Sequence, residues 1–243
     1  MARRSSSNVE RGAEILIELG KADSAGLTLA EIAEAVGDAK SAVHRALSGL
    51  VHYGFVEQTA RRGRYRLGPA IYALSAKPNS IRDVVRLLKP ALIEITRQSG
   101  GSTYLLARAG TDSLCLDLED GPLPVQSMVK TIGGRIPMGV GAASICMLAE
   151  METKAREALI AANEPRLSPY TSPAQIEAAV RFYGQNGYVH FANYGFYNTM
   201  HIAVAVPKRI APSAAVSLVM PIKPDLDPAR QAGFMREIIA RLS

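Results

Sequence analysis

Only two of the 243 residues are cysteine, and these two, Cys115 and Cys146, cannot build the disulfide framework of a small secreted domain. A reducing compartment, the cytoplasm, is therefore the expectation. No run of 18 or more uncharged apolar residues occurs, which removes a membrane-spanning helix from consideration. The longest apolar stretches, Met200–Val206 and Ala214–Met220, have the length of strands. The start, Met1–Ser7, is basic and serine-rich and lacks the apolar segment of a signal peptide. Also missing are G-x-S-x-G, H-E-x-x-H and C-x-x-C, so no nucleophile elbow, zinc-protease pair or redox dithiol is written in the chain. Acidic residues become scarce in one place. Between Lys40 and Ser75 six basic residues (Lys40, Arg45, Arg61, Arg62, Arg64, Arg66) meet a single acid, Glu57, whereas Val9–Ala39 holds seven acids and two bases. A basic block behind an acidic one suggests a surface that meets a polyanion and a support that does not.

What is present fills in that picture. The chain is long enough for one large domain or two modest ones, and 48% of it is apolar, enough for buried cores. Asn8 is read as the cap of a first helix over Val9–Leu19, with Ile15, Leu16 and Leu19 on its apolar side. In "LTLAEIAEAVG" Thr28 and Glu31 have capping-box spacing, and Gly37 stops the helix. A third helix follows in "AKSAVHRALSGLVHYG". Val43, Ala46, Leu47 and Leu50 face one way, and Ser41, His44, Arg45 and Ser48 face the other, with Lys40 at the N-terminal end. Two short helices around a glycine turn, the second with a basic, hydroxyl-bearing outer face, make a helix-turn-helix. Phe55–Gln58 and Arg64–Leu67 then read as strands of a hairpin whose tip is Ala60-Arg61-Arg62-Gly63. The whole is a winged helix, in which the second helix enters the major groove and the wing reaches phosphate or minor groove. A solvated turn and a solvated helix face are the plain alternatives for these cations. Their coincidence with helix-turn-helix spacing favours double-stranded DNA as partner, through Lys40, Ser41, His44, Arg45, Arg61, Arg62 and Arg64.

The same stretch, "LTLAEIAEAVGDAKSAVHRALSGLVHYGFVEQTARRGRYRLGP", resembles the N-terminal domain of the IclR family of bacterial transcription regulators. Lys40, Ser41, Arg45, Gly63, Arg64, Tyr65, Leu67 and Gly68 stand where the family pattern places such residues. Ala42 replaces a usual threonine and removes one possible contact to DNA. The resemblance implies an α+β chain in three parts. They are a winged helix-turn-helix over 1–75, a linker helix over 76–89, and a GAF-like α/β effector-binding domain with a mainly antiparallel sheet over 90–243. In "SIRDVVRLLKPALIEITRQSGG" Pro90 is expected to break or kink the helix and so separate the linker from the next domain; one kinked core helix is the alternative. A homodimer through the first domain and linker, pairing further into a tetramer, is implied as well.

Beyond the linker, "STYLLARAG", "SLCLDLE" and "VQSMVK" read as three neighbouring strands. Three helices follow, the last capped by Ser172 with Pro173 first, then three more strands and a closing helix capped by Asp227. Hairpin-length connections favour an antiparallel sheet with helices packed on it. "GGRIPMGVGAASICML" contains Gly139, Gly141 and Ser144, close to the G-x-G-x-x-G of dinucleotide loops. The third glycine is missing and no parallel strand precedes it, so no cofactor is expected. A small-residue turn feeding a helix N-terminus does offer free amides and a positive dipole end to an anion. The family's ligand loop falls here, and Gly139 and Ser144–Cys146, which depart from its usual form, are where an unusual ligand preference is expected. The resemblance places Met128, Ile136, Ala142, Ala143, Phe191, Thr199, His201, Ser217 and Val219 around a pocket. The acidic cluster usual before one strand is replaced by Phe191-Ala192-Asn193-Tyr194. An aromatic or carboxylate-type effector fits an aromatic-rich, acid-poor pocket of this kind. The function so read is a DNA-binding regulator, a repressor, under control of such an effector. The competing reading is an enzyme around His201 and Ser217 with a DNA-binding appendage. His190 and His201, joined by a cysteine, are a further metal-type set whose spacing is not diagnostic.

Overall fold

The computed structural model describes residues 7–61, 63–76, 80–122, 125–129, 131–168 and 170–242. They fall into two compact units, 1–82 and 83–243.

The first unit opens with helix α1 (Asn8–Lys21), whose cap is Ser7 and not Asn8. The Ser7 hydroxyl accepts from the Glu10 amide, and the Glu10 carboxylate accepts from the Ser7 amide. That reciprocal box satisfies two amides where Asn8 alone would satisfy one. Asn8 instead accepts from Arg11 Nη1 at 2.8 Å. The short strand β1 (Leu27–Thr28) leads into α2 (Leu29–Val36), where the Thr28–Glu31 box forms and Gly37 closes the helix in the left-handed region. Helix α3 (Lys40–His52) follows. Strands β2 (Val56–Gln58) and β3 (Arg64–Leu67) pair antiparallel, with Glu57 opposite Arg66, and β1 joins the other edge of β3. Ile15, Leu19, Ile32, Val43, Leu47 and Val56 make the core, with Leu16 only partly buried against it. Gly26 lets β1 come this close. Its φ is +71°, and a Cβ there would stand 2.3 Å from the Tyr65 carbonyl oxygen. Helix α4 (Pro69–Ser75) ends the stretch.

Helix α5 (Ser80–Ser99) runs through Pro90 without the expected break. Leu88, Ala91, Leu92 and Ile95 form one buried stripe on both sides of the proline, which is itself exposed. Burying each large apolar side chain contributes about 1.5–3 kcal/mol, so the stripe outweighs the ~3 kcal/mol an interior proline costs. Strands β4 (Ser102–Ala109) and β5 (Asp112–Glu119) form a hairpin. The third strand of the meander is not the stretch from Val125: residues 125–129 have no strand, and β6 (Arg135–Pro137) takes that edge. Reciprocal backbone bonds from Gly133 and Gly134 to Cys115 extend its ladder, and an edge position tolerates Pro137. Next come α6 (Ala142–Ala149), α7 (Thr153–Leu167), α8 (Pro173–Asn186), β7 (Val189–Ala192), β8 (Thr199–Ala205), β9 (Ala214–Pro221) and α9 (Pro228–Ala240). Ser172 and Asp227 cap α8 and α9 as expected.

The six strands form one antiparallel sheet in the order β6-β5-β4-β9-β8-β7. Alternation along each strand gives the sheet two apolar faces. Leu105, Ile202, Val204 and Val216 join Leu88, Leu92, Met235 and Ile238 on one face. Tyr104, Leu106, Ala203 and Val219 join Ile145, Leu148, Ile160 and Ile176 on the other. The candidate pocket belongs to this second face.

Candidate functional site

In the first unit the outer face of α3 carries Lys40, Ser41, His44, Arg45 and Ser48, all exposed, while Val43 and Leu47 are buried. Ala42 lies on the buried side, only 9% exposed. The start of α3 is anchored by Arg11, whose Nε donates to Asp38 Oδ2 at 2.6 Å, while Asp38 Oδ1 accepts from the Ala39 amide. At the hairpin tip Arg61 is exposed, and its carbonyl accepts from the Arg64 amide and the Thr59 hydroxyl. Arg62 lies outside the described residues.

Arg64 is not a free cation. It donates to the Gly26 carbonyl at 2.8 Å and pairs with Glu31 at 3.1 Å, so its side chain ties the wing to α2. The Thr28 amide and hydroxyl, with Arg64 nearby, hold the Glu31 carboxyl below its ordinary range. A guanidinium held this way positions the hairpin. Arg66 is likewise paired, with Glu57 across the hairpin. Among the described residues no carboxylate pairs with Lys40, Arg45 or Arg61.

In the second unit, the turn before α6 brings the sequence-predicted loop over the sheet. Asn163 is buried and donates to the Thr111 and Met138 carbonyls, pinning the turn. Ser144 is also buried. Its hydroxyl accepts from the Gly139 amide at 3.2 Å and lies 2.7 Å from the Val140 carbonyl, to which it donates. The Cys146 thiol donates to the Ala203 carbonyl. These two departures from the family pattern are thus spent on the loop and its seat. Gly139 has a φ of +107°, and a Cβ on it would meet Ile176 Cδ1 at 2.7 Å.

A cavity of about 30 Å³ lies between this turn and the sheet. Seven of the nine predicted pocket residues line it: Met128, Ile136, Ala142, Ala143, His201, Ser217 and Val219. Register explains the grouping. Tyr104 pairs with Ser217 and His201 with Val219, so all four share one face. Phe191 lines a neighbouring cavity of about 440 Å³ instead. Thr199 lines neither; it is buried, and its hydroxyl donates to the Phe196 carbonyl. Tyr104, Leu106 and Ser127 also line the small cavity, although neither motif nor resemblance points to them, and so does Tyr194, from the segment that replaces the family's acidic cluster. Alternation with Leu106 could have found Tyr104, but Tyr194 reaches the site from a loop that no periodicity marks.

The small cavity is electrically neutral and polar at one end. Among the described residues its lining holds no charged side chain. His201 is 7% exposed, its Nε2 has no hydrogen-bond partner, and burial pushes its pKa down to about 4, so the ring is neutral at pH 7. Burial also raises Tyr104 and Tyr194 above the ordinary phenol value. Helix α6 starts at Gly141, at φ +81°, with no side-chain cap. The Gly141 amide donates to the Tyr194 hydroxyl at 3.4 Å. Among the described residues no hydrogen bond reaches the Ala142 and Ala143 amides. A helix N-terminus beside a neutral imidazole suits one anionic group in apolar surroundings.

The histidines do not cooperate. His190 pairs with Ile202 and Phe191 with His201, which puts the two histidines on opposite faces of the sheet. His190 packs on Phe182 and Tyr188. Burial pushes the Cys115 thiol up to about 12 and raises Cys146 as well, so neither is a ready thiolate. Among the described residues no three His, Cys, Asp or Glu side chains could hold a metal together.

Fold and site together define a winged helix-turn-helix protein with a second, mainly antiparallel domain built over a cavity. Residues 8–60 match the IclR helix-turn-helix domain. The chain is 27% identical over 165 residues to the HTH-type transcriptional regulator KipR of Bacillus subtilis, covering 67% of this chain and 65% of KipR. It is 34% identical over 169 residues to the HTH-type transcriptional regulator Rv1719 of Mycobacterium tuberculosis, covering 68% of this chain and 61% of that relative. The matched part is thus less than two thirds of either relative. Among solved structures, an IclR homolog from Microbacterium hydrocarbonoxydans, complexed with 4-hydroxybenzoate, superposes with a TM-score of 0.78 at 21% identity over 97% of both chains. An IclR transcriptional regulator from Alicyclobacillus acidocaldarius gives 0.75 at 20% identity, over 99% of this chain and 98% of that one. This chain belongs to the IclR family.

Proposed function

We propose that this protein is a transcription regulator whose first unit binds operator DNA under the control of a small effector held in the second. The observation that carries the DNA reading is the exposed face of α3, where Lys40, Ser41, His44 and Arg45 stand together opposite buried Val43 and Leu47. An α-helix fits the major groove, where Arg and Ser read base edges and Lys and Arg neutralise phosphate. Arg61, with Arg62 beside it in sequence, supplies the wing's contact, and Arg64 holds the wing in place. KipR and Rv1719, both named HTH-type transcriptional regulators, support the reading. The cytoplasm is where such a protein meets its operator. No helix among the described residues is long and apolar enough to cross a membrane.

The effector is read as a small aromatic or carboxylate-type acid. Its anionic end would meet the Ala142 and Ala143 amides and His201, and its body would meet Met128, Ile136, Ser217 and Val219. The 4-hydroxybenzoate bound by the Microbacterium homolog is of that class. Pairing of two chains supplies two winged helices for two half-sites, and an effector that favours one arrangement of the pair changes their spacing. Tyr72 is 76% and Leu74 61% exposed on α4, apolar surface that suits a homodimer contact near the linker. An enzyme around His201 and Ser217 is not favoured. The imidazole Nε2 has no partner, so no base is poised on the serine hydroxyl.

The test is fluorescence anisotropy with the DNA upstream of the gene and its neighbours, across a salt series. Arg45→Ala, Lys40→Ala and Arg61→Ala should each weaken binding and flatten its salt dependence. Unchanged, salt-sensitive binding in all three would overturn the assignment.

A further inference from the structure

The small cavity is an order of magnitude below the 300–1,000 Å³ of ordinary small-molecule sites, whereas its 440 Å³ neighbour lies within that range. One side chain, Tyr194, lines both. Its ring stacks on Phe191 at 4.9 Å and 22° and stands edge-on to His201 at 6.4 Å. Its hydroxyl accepts from the Gly141 amide at the start of α6. At 3.4 Å this is a long, neutral hydrogen bond, weaker than the charge-assisted bond a carboxylate would make there. We propose that Tyr194 is a shutter that holds the Gly141 amide, at the start of α6, in place of the effector. An effector with one anionic end takes that amide, turns the phenol aside and lays an uncharged tail in the larger cavity.

The inference rests on the effector reading of the small cavity, and it names the ligand's shape and the residue that selects for it. Three observations support it. The loop that carries Tyr194 is closed at its base, where Asn193 N donates to the Thr199 carbonyl and Asn193 Oδ1 accepts from Asn198 N, both at 2.7 Å. The tyrosine can therefore turn about its own side-chain bonds while the loop keeps its anchor. Gly195 packs that loop over the site, since a Cβ on it would stand 2.5 Å from Met128 Cε. Finally, among the described residues no charged side chain lines either cavity. The larger one is walled mainly by Tyr170, Ile176, Phe182, Phe191 and Ile145, with Thr171, Gln175 and His190 as its uncharged polar members. Such walls accept an apolar or aromatic tail and refuse a second charge. The ligand class is thus an amphiphilic monocarboxylate longer than a single ring, with dicarboxylates excluded.

Isothermal titration of the full chain with benzoate, 4-phenylbutyrate and adipate tests this, with thermal melts to confirm that each variant folds. 4-Phenylbutyrate should bind at least tenfold tighter than benzoate, and adipate should not bind. Tyr194→Phe, which removes that hydroxyl and keeps the ring, should tighten both monocarboxylates about fivefold, the worth of one neutral hydrogen bond. Ala179→Phe, which puts bulk into the larger cavity, should weaken 4-phenylbutyrate at least tenfold and leave benzoate within twofold. Three outcomes overturn the shutter while the effector reading stands: no gain from Tyr194→Phe, equal effects of Ala179→Phe on the two acids, or 4-phenylbutyrate binding no tighter than benzoate. Binding of no acid to any form overturns the effector reading and the shutter with it.

Discussion

His201 allows a test of how dry the pocket is. Its pKa in the folded chain is about 4 against an ordinary 6.5, and the cause is burial. As pH falls through 6.5 the unfolded chain takes up a proton that the folded chain refuses until about pH 4. In that window the unfolded state binds more protons, so stability falls with falling pH. Outside the window this histidine adds no slope. A shift of about two and a half units at about 1.4 kcal/mol each amounts to roughly 3 kcal/mol. His201→Phe keeps a planar ring of similar size and removes both the proton site and the unpartnered Nε2. Urea unfolding followed by circular dichroism at pH 7, 5.5 and 4 compares the two chains. His190, whose pKa burial also lowers, titrates in both and cancels. The variant should match or exceed wild type at pH 7, because an orphaned buried nitrogen costs about 1–3 kcal/mol. Its advantage should then grow by about 3 kcal/mol by pH 4. Parallel stability curves over that range would refute the reasoning, since an imidazole reached by water would titrate alike in both states.

Other expectations concern single residues. Arg45→Ala and Arg61→Ala should each reduce the salt slope of DNA binding by about one, whereas Arg64→Ala should lower affinity with a smaller change in slope, because it displaces the wing and removes no phosphate contact. Anisotropy titrations at four salt concentrations separate the two patterns. Thr28→Ala removes the cap of α2 and should cost about 1 kcal/mol of first-unit stability by urea unfolding. Gly139→Ala puts a side chain at φ +107° and against Ile176, and should destabilise the second unit by about 1–3 kcal/mol. Gly12→Ala, in the middle of α1 with nothing within 4 Å of the new Cβ, should stabilise by up to about 1 kcal/mol. Equal effects of the two glycine replacements would contradict the conformations assigned to them.

Elements set by near neighbours are legible in the amino-acid sequence itself. The Thr28–Glu31 box, the left-handed Gly37, the caps at Ser172 and Asp227 and the outer face of α3 all depend on residues a few positions apart. Their hydrogen-bond partners lie within one helical turn, although packing keeps the short helices formed. The first cap falls one residue earlier than Asn8 for a reason of the same local kind, since Ser7 with Glu10 satisfies two amides. Most strands after Gly101 are legible from alternation, and register then carries Ile136, His201, Ser217 and Val219 to one cavity, which Met128 from a loop and Ala142 and Ala143 from α6 complete.

What lies between distant residues is not legible in this way. Pro90 argues for a break, yet α5 continues, because the buried stripe through Leu88, Leu92 and Ile95 outweighs one lost hydrogen bond. Residues from Val125 look like a strand, but the edge of the sheet goes to Arg135–Pro137, whose register Cys115 and the two glycines complete. Arg64 reads as one more wing cation until Glu31 and the Gly26 carbonyl, more than 30 positions away, claim it. Tyr194 is marked in the sequence only as part of the aromatic segment that replaces an acidic cluster, and its place between two cavities and at the start of α6 gives it a role. Local hydrogen bonds and periodicity belong to the sequence alone. Which cation is spent, which strand wins an edge and which ring closes a pocket are settled by competition among groups that only the folded chain brings within reach.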